Sequence, residues 1–422
     1  MNDPESVRRT VEAVWRIDSA RMVGALARYT GDFALAEDVA QEALAEALVS
    51  WPRDGVPATP AGWLLAVARR RAIDSFRRNN TRDEKYAQLA RDATAGVPAG
   101  APDDLLDPDR VGDDRLALLF IACHPVLSKE SQIALTLRVV AGLGSDQIAR
   151  AFLVPVPTIQ ARITRAKKTL SAAGVRYGLP SAAERDERVS SVLNVIYLIF
   201  TEGANASIGD DLLAADLAIE AIRLANVMAH LDPDRPETYG LLALCELTAA
   251  RFPARIGPDG EPVLLAEQDR RRWDRSAIRR GMAALAKAES FGQGLGPYGL
   301  QAAIAACHAA ARSVEETDWD RIVILYEALG RIAPSPIVEL NRAVAMSMAY
   351  GPQQALPIVD DLVARDVLRG SQLLPSVRGE LLIRVGRRDE ARQELELAAR
   401  LTANSRERGV FERKIERLAD DQ

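Results

Sequence analysis

An all-α fold is predicted for this chain, built from two small helical domains joined by a linker and a larger C-terminal helical domain of paired helices. Three observations predict it. Alanine, leucine and arginine dominate, while runs of β-branched residues are short, which favours helix over sheet. Apolar residues recur at helical spacing in segment after segment. Stretches rich in Gly and Pro divide those segments from one another. The 422 residues are enough for two or three cores. A composition of 48% hydrophobic and 27% charged residues is ordinary for a soluble globular protein.

The first domain is expected over residues 1–80. Residues 5–30 read as a helix with Val7, Val11, Val14, Trp15 and Met22 on or near one face, ended by Gly31-Asp32. A second helix covers 33–50, FALAEDVAQEALAEALVS, rich in Ala and carboxylates. Pro52, Gly55, Pro57 and Pro60 then predict an irregular segment over 51–63, carrying Trp51 and Trp63. The third helix, WLLAVARRRAIDSFRR over 63–78, gathers Arg69, Arg70, Arg71, Arg77 and Arg78 around one acid, Asp74, in a chain of net charge −5. On a wheel of about 100° per residue, Leu64, Leu65, Ala68, Ala72 and Phe76 form the core stripe, and Arg70, Arg71, Arg77 and Arg78 lie opposite. Asp74 can pair with Arg70 and Arg78 at i,i±4, yet the face stays positive. A basic face beside aromatic residues suits a nucleic-acid backbone, with rings able to stack an unpaired base.

Residues 81–112 read as a linker, with a helical start near DEKYAQLA and breaks at Gly96, Pro98, Gly100, Pro102 and Pro108. The second domain is expected over 113–176. A helix over about 129–141 ends at Gly142 and Gly144, SDQIARAF follows with Ser145 as N-cap, LVPVP turns the chain, and another helix begins at Thr158. This is helix-turn-helix spacing. In the last helix Ile159, Ile163, Ala166 and Leu170 form the packed stripe. Gln160, Ala161, Thr164, Arg165 and Lys168 project outward, with Thr158 and Arg162 at the margins. No acid occurs in 158–170, so the first turn can meet base edges while later cations hold phosphates.

Helices continue over 180–422. A Gly-Pro-Asp-Gly turn at 257–260 predicts a small hairpin or an irregular loop across 253–265. Near the end, Gly379, Leu382, Gly386, Ala391, Leu395 and Ala398 stand near tetratricopeptide positions, and 335–362 offers a looser copy. A generic array of helical hairpins is the alternative reading of the same spacing.

Several classes of chemistry find no support. The opening MNDPESVRR has no apolar signal core behind it, and VLNVIYLIF is too short to span a bilayer, so a cytoplasmic protein without membrane contact is expected. Cys123, Cys245 and Cys307 give no disulfide framework. The pairs Cys123-His124 and Cys307-His308 lie in apolar stretches, and neighbouring helical residues chelate poorly, so core packing is expected and no metal. His230 and His308 are isolated and read as structural. With no P-loop, Rossmann glycine pattern or Ser-His-Asp grouping, no enzyme and no cofactor are expected.

The pair DFALAEDVAQEALAEAL and GWLLAVARRRAIDSFRR resembles region 2 of bacterial RNA polymerase sigma factors. The stretch 128–170, ending RITRAKKTL, resembles region 4. Their order and short connection resemble the extracytoplasmic-function class. YLIFTEGANAS, EQDRRRWD, GPYGLQAAIAACHA and SPIVELNRAVAM further resemble a subgroup with a long C-terminal extension of tetratricopeptide-like repeats.

The resemblance implies roles by position. Asp38, Gln41 and Glu42 would contact core RNA polymerase. The loop 51–62 would help hold a base flipped from the promoter −10 element, which Trp63, Arg70, Arg71, Arg77 and Arg78 would engage. Thr158, Gln160, Ala161, Arg162, Thr164, Arg165 and Lys168 would bind the −35 element. Arg70 stands where the family often has Asn, and Gln147 where it often has Glu. The C-terminal domain is expected to regulate the sigma portion and to bind a protein partner. The competing reading is a helical scaffold or adaptor whose basic helices bind nucleic acid incidentally. The linker can extend to roughly 100 Å at about 3.3 Å per residue. That exceeds two DNA turns of about 34–36 Å each.

Overall fold

The computed structural model describes residues 4–79, 111–152, 154–206, 212–257, 263, 265–402 and 405–420. The expected linker 81–112 therefore lies almost wholly outside the described residues. The chain divides into two compact units, one of residues 1–203 and 211–231, the other of 204–210 and 232–422. Among the described residues every regular element is helical.

The first unit opens with α1 (Pro4–Thr30), α2 (Phe33–Asp54) and α3 (Pro60–Asn79). Val7, Val11, Trp15 and Met22 bury one side of α1. Gly31, at φ +67°, makes the reversal. Asp32 then caps α2 by accepting from the amides of Ala34 (2.8 Å) and Leu35 (3.1 Å). The second helix runs further than its prolines suggest. It passes through Pro52 and stops at Gly55, φ +89°. A proline in the last turn removes one amide donor without ending the helix, because Trp51 is anchored in the core at 1% exposure. Pro60 stands at the first position of α3, where its missing N–H costs nothing. The irregular segment thus shrinks to 55–59.

The same unit continues with α4 (Val111–Ala122), α5 (Lys129–Val139), α6 (Ser145–Ala151), α7 (Val156–Ala172), α8 (Ala182–Ala206) and α9 (Leu212–Leu231). Ser128 caps α5. The side chain of Gln147 folds back onto the Gly144 amide (2.8 Å), so Gln performs the capping at this position and the helix starts at Ser145 itself. Helix α7 starts two residues before Thr158. Val192, Leu193, Ile196 and Phe200 of α8 are buried, and Ser191 donates to the Cys123 carbonyl at 2.8 Å. Arg223 of α9 donates to the Val140 carbonyl at 3.3 Å. Helices α8 and α9 thus close the core of this unit, whereas the sequence suggested a boundary near 180. Their apolar faces have no sequence signature that says which neighbour they cover.

The second unit holds α10 (Pro236–Ala249), α11 (Arg275–Glu289), α12 (Pro297–Ala310), α13 (Trp319–Ile332), α14 (Pro336–Tyr350), α15 (Pro352–Ala364), α16 (Leu373–Arg384), α17 (Arg388–Leu401) and α18 (Ser405–Asp420). Successive helices pack as hairpins. A Cβ on Gly240 would lie 2.7 Å from the Gly299 amide nitrogen, so α10 and α12 approach to backbone contact. Glu237 fixes that crossing by accepting from the amides of Tyr298 (3.0 Å) and Gly299 (3.2 Å) at the start of α12. Among the expected repeat positions, Gly379, Leu382, Ala391, Leu395 and Ala398 are buried, and Gly386 turns the chain at φ +81°. Between α10 and α11 the chain makes short 3-10 turns at Phe252–Ala254, Leu265–Glu267 and Arg270–Arg272. Val263 donates to the Arg255 carbonyl at 2.8 Å, and the Gly-Pro-Asp-Gly turn lies mostly outside the described residues.

Candidate nucleic-acid and polymerase interfaces

Helix α7 presents the face expected of a recognition helix. Ile159, Ile163, Ala166 and Leu170 are buried, and Gln160, Ala161, Thr164, Arg165 and Lys168 are exposed. Thr158 and Arg162 are half-buried at the margins. Arg162 lines a cavity of about 260 Å³ with Lys129, Ile148, Phe152, Leu198 and Glu202, so α8 flanks that edge of the helix.

Helix α3 divides its arginines among several tasks. Arg69 lies over the Tyr29 ring, 5.3 Å from its centroid. Arg70 pairs with Glu46 at 3.2 Å. Arg71 binds Glu46 at 2.6 Å and Glu42 at 3.0 Å. The hydrogen bond from Glu46, ahead of burial and the bond from Glu42, leaves the Arg71 pKa above its ordinary value. These bonds join α3 to α2, and Arg70 meets Glu46 where a pairing with Asp74 was expected. Arg77 is exposed, and Asp74 is exposed beside it on the helix. The side chain of Arg78 lies outside the described residues.

The two tryptophans part company. Trp51 is fully buried with its ring 5.5 Å from that of Trp63, edge to face. Trp51 is therefore core and cannot stack a base, contrary to the expectation for both rings. Trp63 is half-buried and keeps an accessible side.

The carboxylate helix α2 is the least expected part of the geometry. Asp38 and Glu42 are exposed and Gln41 is half-buried, but all three are held. Lys167 of α7 bonds Asp38 and Glu37. Arg138 of α5 bonds the Gln41 carbonyl oxygen and lies 3.5 Å from Glu37. Glu37 is 3% exposed and serves both cations. Burial lowers the Lys167 pKa, but Glu37 and the bond to Asp38 outweigh it, so the ammonium titrates above its ordinary value. The Gln41 amide nitrogen is buried without an acceptor. Elsewhere in the unit, Arg28 of α1 bonds Asp114 of α4 at 2.5 Å, and the Tyr177 hydroxyl donates to the same carboxylate at 3.3 Å. Sequence reasoning missed Glu37, Arg138 and Lys167 as a set. The only trace was Glu37 and Gln41 four apart on one helical face.

The remaining candidates have structural surroundings. Cys123 is buried, its thiol 3.4 Å from the Thr136 hydroxyl, and burial pushes its pKa up to about 12. His124 accepts from the Val126 amide at 3.1 Å, and His230 bonds the Asn226 carbonyl at 2.7 Å. Among the described residues no group of His, Cys, Asp and Glu could hold a metal ion. Among them, too, no helix is long and apolar enough to cross a membrane.

A helix-turn-helix with an open basic recognition face, in one unit with a second bundle bearing a basic helix, defines a DNA-binding protein of the transcription-factor type. The family models give that class its particulars. Sigma-70 region 2 matches residues 19–82, and sigma-70 region 4 matches 117–170. A family of unknown function, DUF6596, matches 188–289. An uncharacterised protein of Rhizobium meliloti is 42% identical over 409 residues, covering 94% of this chain and 93% of that protein. The probable ECF RNA polymerase sigma factor SigI of Mycobacterium tuberculosis is 28% identical over 177 residues, 42% of this chain and 59% of that protein. The crystal structure of a tetratricopeptide repeat protein from Parabacteroides merdae matches 65% of this chain and 98% of its own at 11% identity, with a TM-score of 0.33. The chain belongs to the extracytoplasmic-function class of RNA polymerase sigma factors, in a form with a helical C-terminal extension. Sigma factor families are non-enzymatic transcription regulators that bind core RNA polymerase and promoter DNA.

Proposed function

We propose that this sigma factor directs promoter-specific initiation, with α7 reading the −35 element and α3 engaging the −10 element, and that the C-terminal unit regulates it. The exposed, acid-free outer face of α7 carries the reading. Gln160, Ala161 and Thr164 stand where base edges are met, and Arg165 and Lys168 where phosphates pass. Trp63, Arg70, Arg71, Arg77 and Arg78 form the −10 set, in which Arg70 and Arg71 exchange Glu46 and Glu42 for phosphates. Asp38, Gln41 and Glu42 contact polymerase.

The three polymerase-facing residues are occupied by Lys167, Arg138 and Arg71, so polymerase must replace these bonds as it docks. The unpaired Gln41 amide supports an exchangeable contact, since a buried donor without an acceptor costs roughly 1–3 kcal/mol. Regions 2 and 4 then separate over the promoter, and the free chain binds DNA poorly.

Reconstituted transcription tests the proposal. Core polymerase with this chain is expected to start at defined sites, and initiation without site preference would refute the reading. Lys167→Ala with Arg138→Ala is expected to tighten core binding, whereas Asp38→Ala with Glu42→Ala is expected to weaken it; equal signs would refute the exchange. A chain ending after Leu231 should differ from full length in promoter-dependent output, and identical output would remove the regulatory role of the C-terminal unit.

A further inference from the structure

The C-terminal unit gathers arginines on the short 3-10 turns between α10 and α11. Arg270, 7% exposed, is fully engaged. It donates to the carbonyls of His308 (2.8 Å) and Ala311 (3.0 Å) and to the Thr317 hydroxyl (3.0 Å). This side chain ties the segment to the end of α12, and its role is structural.

Arg251 and Arg255 are different. Arg251 makes one long hydrogen bond, to the Gln268 carbonyl oxygen at 3.4 Å, and lies over the Trp273 ring, 5.7 Å from its centroid. Arg270 lies over the same ring at 5.3 Å. Arg255 donates to the Ala204 carbonyl at 3.0 Å and lies 5.5 Å from the Phe252 centroid. Neither Arg251 nor Arg255 has a carboxylate partner among the described residues. Burial, then the charges of Arg255 and Arg270, lower the Arg251 pKa to about 10, and burial lowers that of Arg255. Two polar atoms beside them are also unsatisfied: Trp273, 3% exposed, has an indole Nε1 without an acceptor, and His308 has a buried Nδ1 without a partner. His308 is pressed down to about 4 by burial and then by Arg251 and Arg270, so it is neutral at pH 7 and adds no charge.

Buried cations in proteins are normally paired, because an unpaired one costs several kcal/mol. Here Arg251 lies over the Trp273 ring and feels the charge of Arg255, and among the described residues no carboxylate meets either guanidinium. We infer that Arg251, Arg255 and Trp273 form an oxyanion-binding site in the C-terminal unit, and that its ligand carries a phosphate group. A phosphomonoester bears about −1.5 to −2 charges at pH 7, which matches two unpaired arginines better than a single carboxylate does. Guanidinium forks also match phosphate oxygens in geometry. The site would give the C-terminal unit a small-molecule input, and it stands whether or not the promoter assignments hold.

Titration calorimetry on the full-length chain tests the site, with inorganic phosphate and phenyl phosphate as probes and chloride at matched ionic strength as control. Saturable binding of at least one probe is expected. Arg251→Gln and Arg255→Gln should each weaken it about tenfold, as removal of one charge-assisted hydrogen bond of about 1.5–3 kcal/mol implies. Arg165→Ala with Lys168→Ala should leave it unchanged, which separates the site from the DNA-binding helix. Tighter binding of phenyl phosphate identifies a phosphomonoester ligand, and equal binding identifies the free ion. Circular dichroism checks the fold. If Arg251→Gln does not fold, Arg251→Lys keeps the charge and removes the fork, and should weaken binding in a folded chain. No saturable binding, or binding undiminished by both arginine substitutions, overturns the site.

Discussion

Both units of this protein join helices by ion pairs, and the second adds crossings at backbone distance. In the first, the two modules matching regions 2 and 4 meet through charge: Glu37, Asp38 and Gln41 of α2 against Arg138 and Lys167, and Asp114 against Arg28. In the second, ion pairs such as Arg280–Glu246 (2.7 Å) and Arg378–Asp360 (2.9 Å) also join helices, but two crossings close on small residues. Gly240 faces Gly299 at backbone distance, and Gly379 faces Leu395 with 3.1 Å left for a Cβ. The difference is one of exchangeability. An ion pair can trade its partner for a phosphate or another protein at modest net cost, since each arrangement satisfies the same charges. A close apolar crossing has no substitute partner in water, and opening it forfeits packing outright.

Substitutions sharpen this contrast. The largest effect is expected inside the first unit but away from its charged seam. Trp51→Ala should destabilise the fold by about 3–5 kcal/mol, because the ring is buried against Trp63. Trp63→Ala should cost less stability and impair promoter opening. Chemical denaturation and a promoter-melting assay read the two separately, and equal stability losses would return Trp51 to a candidate base-stacking role.

In the second unit, Gly240→Ala places a Cβ 2.7 Å from a backbone nitrogen that cannot swing aside. A destabilisation of about 1–3 kcal/mol is expected in a denaturant series, and a silent substitution would show that this crossing is loose.

Acid should affect the second unit through His308. Its folded value of about 4 lies below the ordinary 6.5. Between those values the unfolded chain takes up a proton that the folded unit refuses. The contribution to stability therefore falls as pH drops from about 6.5 to about 4, by up to roughly 2–3 kcal/mol, and is level below. His308→Gln should flatten that part of the pH–stability curve, and an unaltered curve would place the titration elsewhere.

The smallest expected change concerns the open face of α7. Arg165→Ala with Lys168→Ala should reduce the magnitude of the salt dependence of promoter binding by about 2, near 0.9 for each phosphate no longer neutralised. Holoenzyme affinities across a salt series measure it, and an unchanged slope would leave these cations off the DNA.

The amphipathic patterns were legible in the chain itself. Ile159, Ile163, Ala166 and Leu170 are buried where a 3.6-residue repeat puts them, as are Leu64, Leu65, Ala68 and Ala72. Glycine turns at 31 and 386 were equally plain, because a positive φ strongly favours that residue. Pro52 misled, since a proline in a last turn and a proline in a loop read alike until the anchoring of Trp51 is known.

Local order thus came from the sequence: helix positions, buried stripes, glycine turns, and the motifs that mark regions 2 and 4. Only the tertiary structure decided what each polar residue faces. It assigned Trp51 to the core, gave Arg71 to Glu42 and Glu46, set Lys167 on Glu37 and Asp38, joined α8 and α9 to the first unit, and left Arg251 and Arg255 without an acid among the described residues. The reason is range. Helix formation depends on neighbours three and four residues away, which one sequence displays directly. A charge finds its partner across intervals such as the 129 residues between Asp38 and Lys167, and no periodicity records that choice.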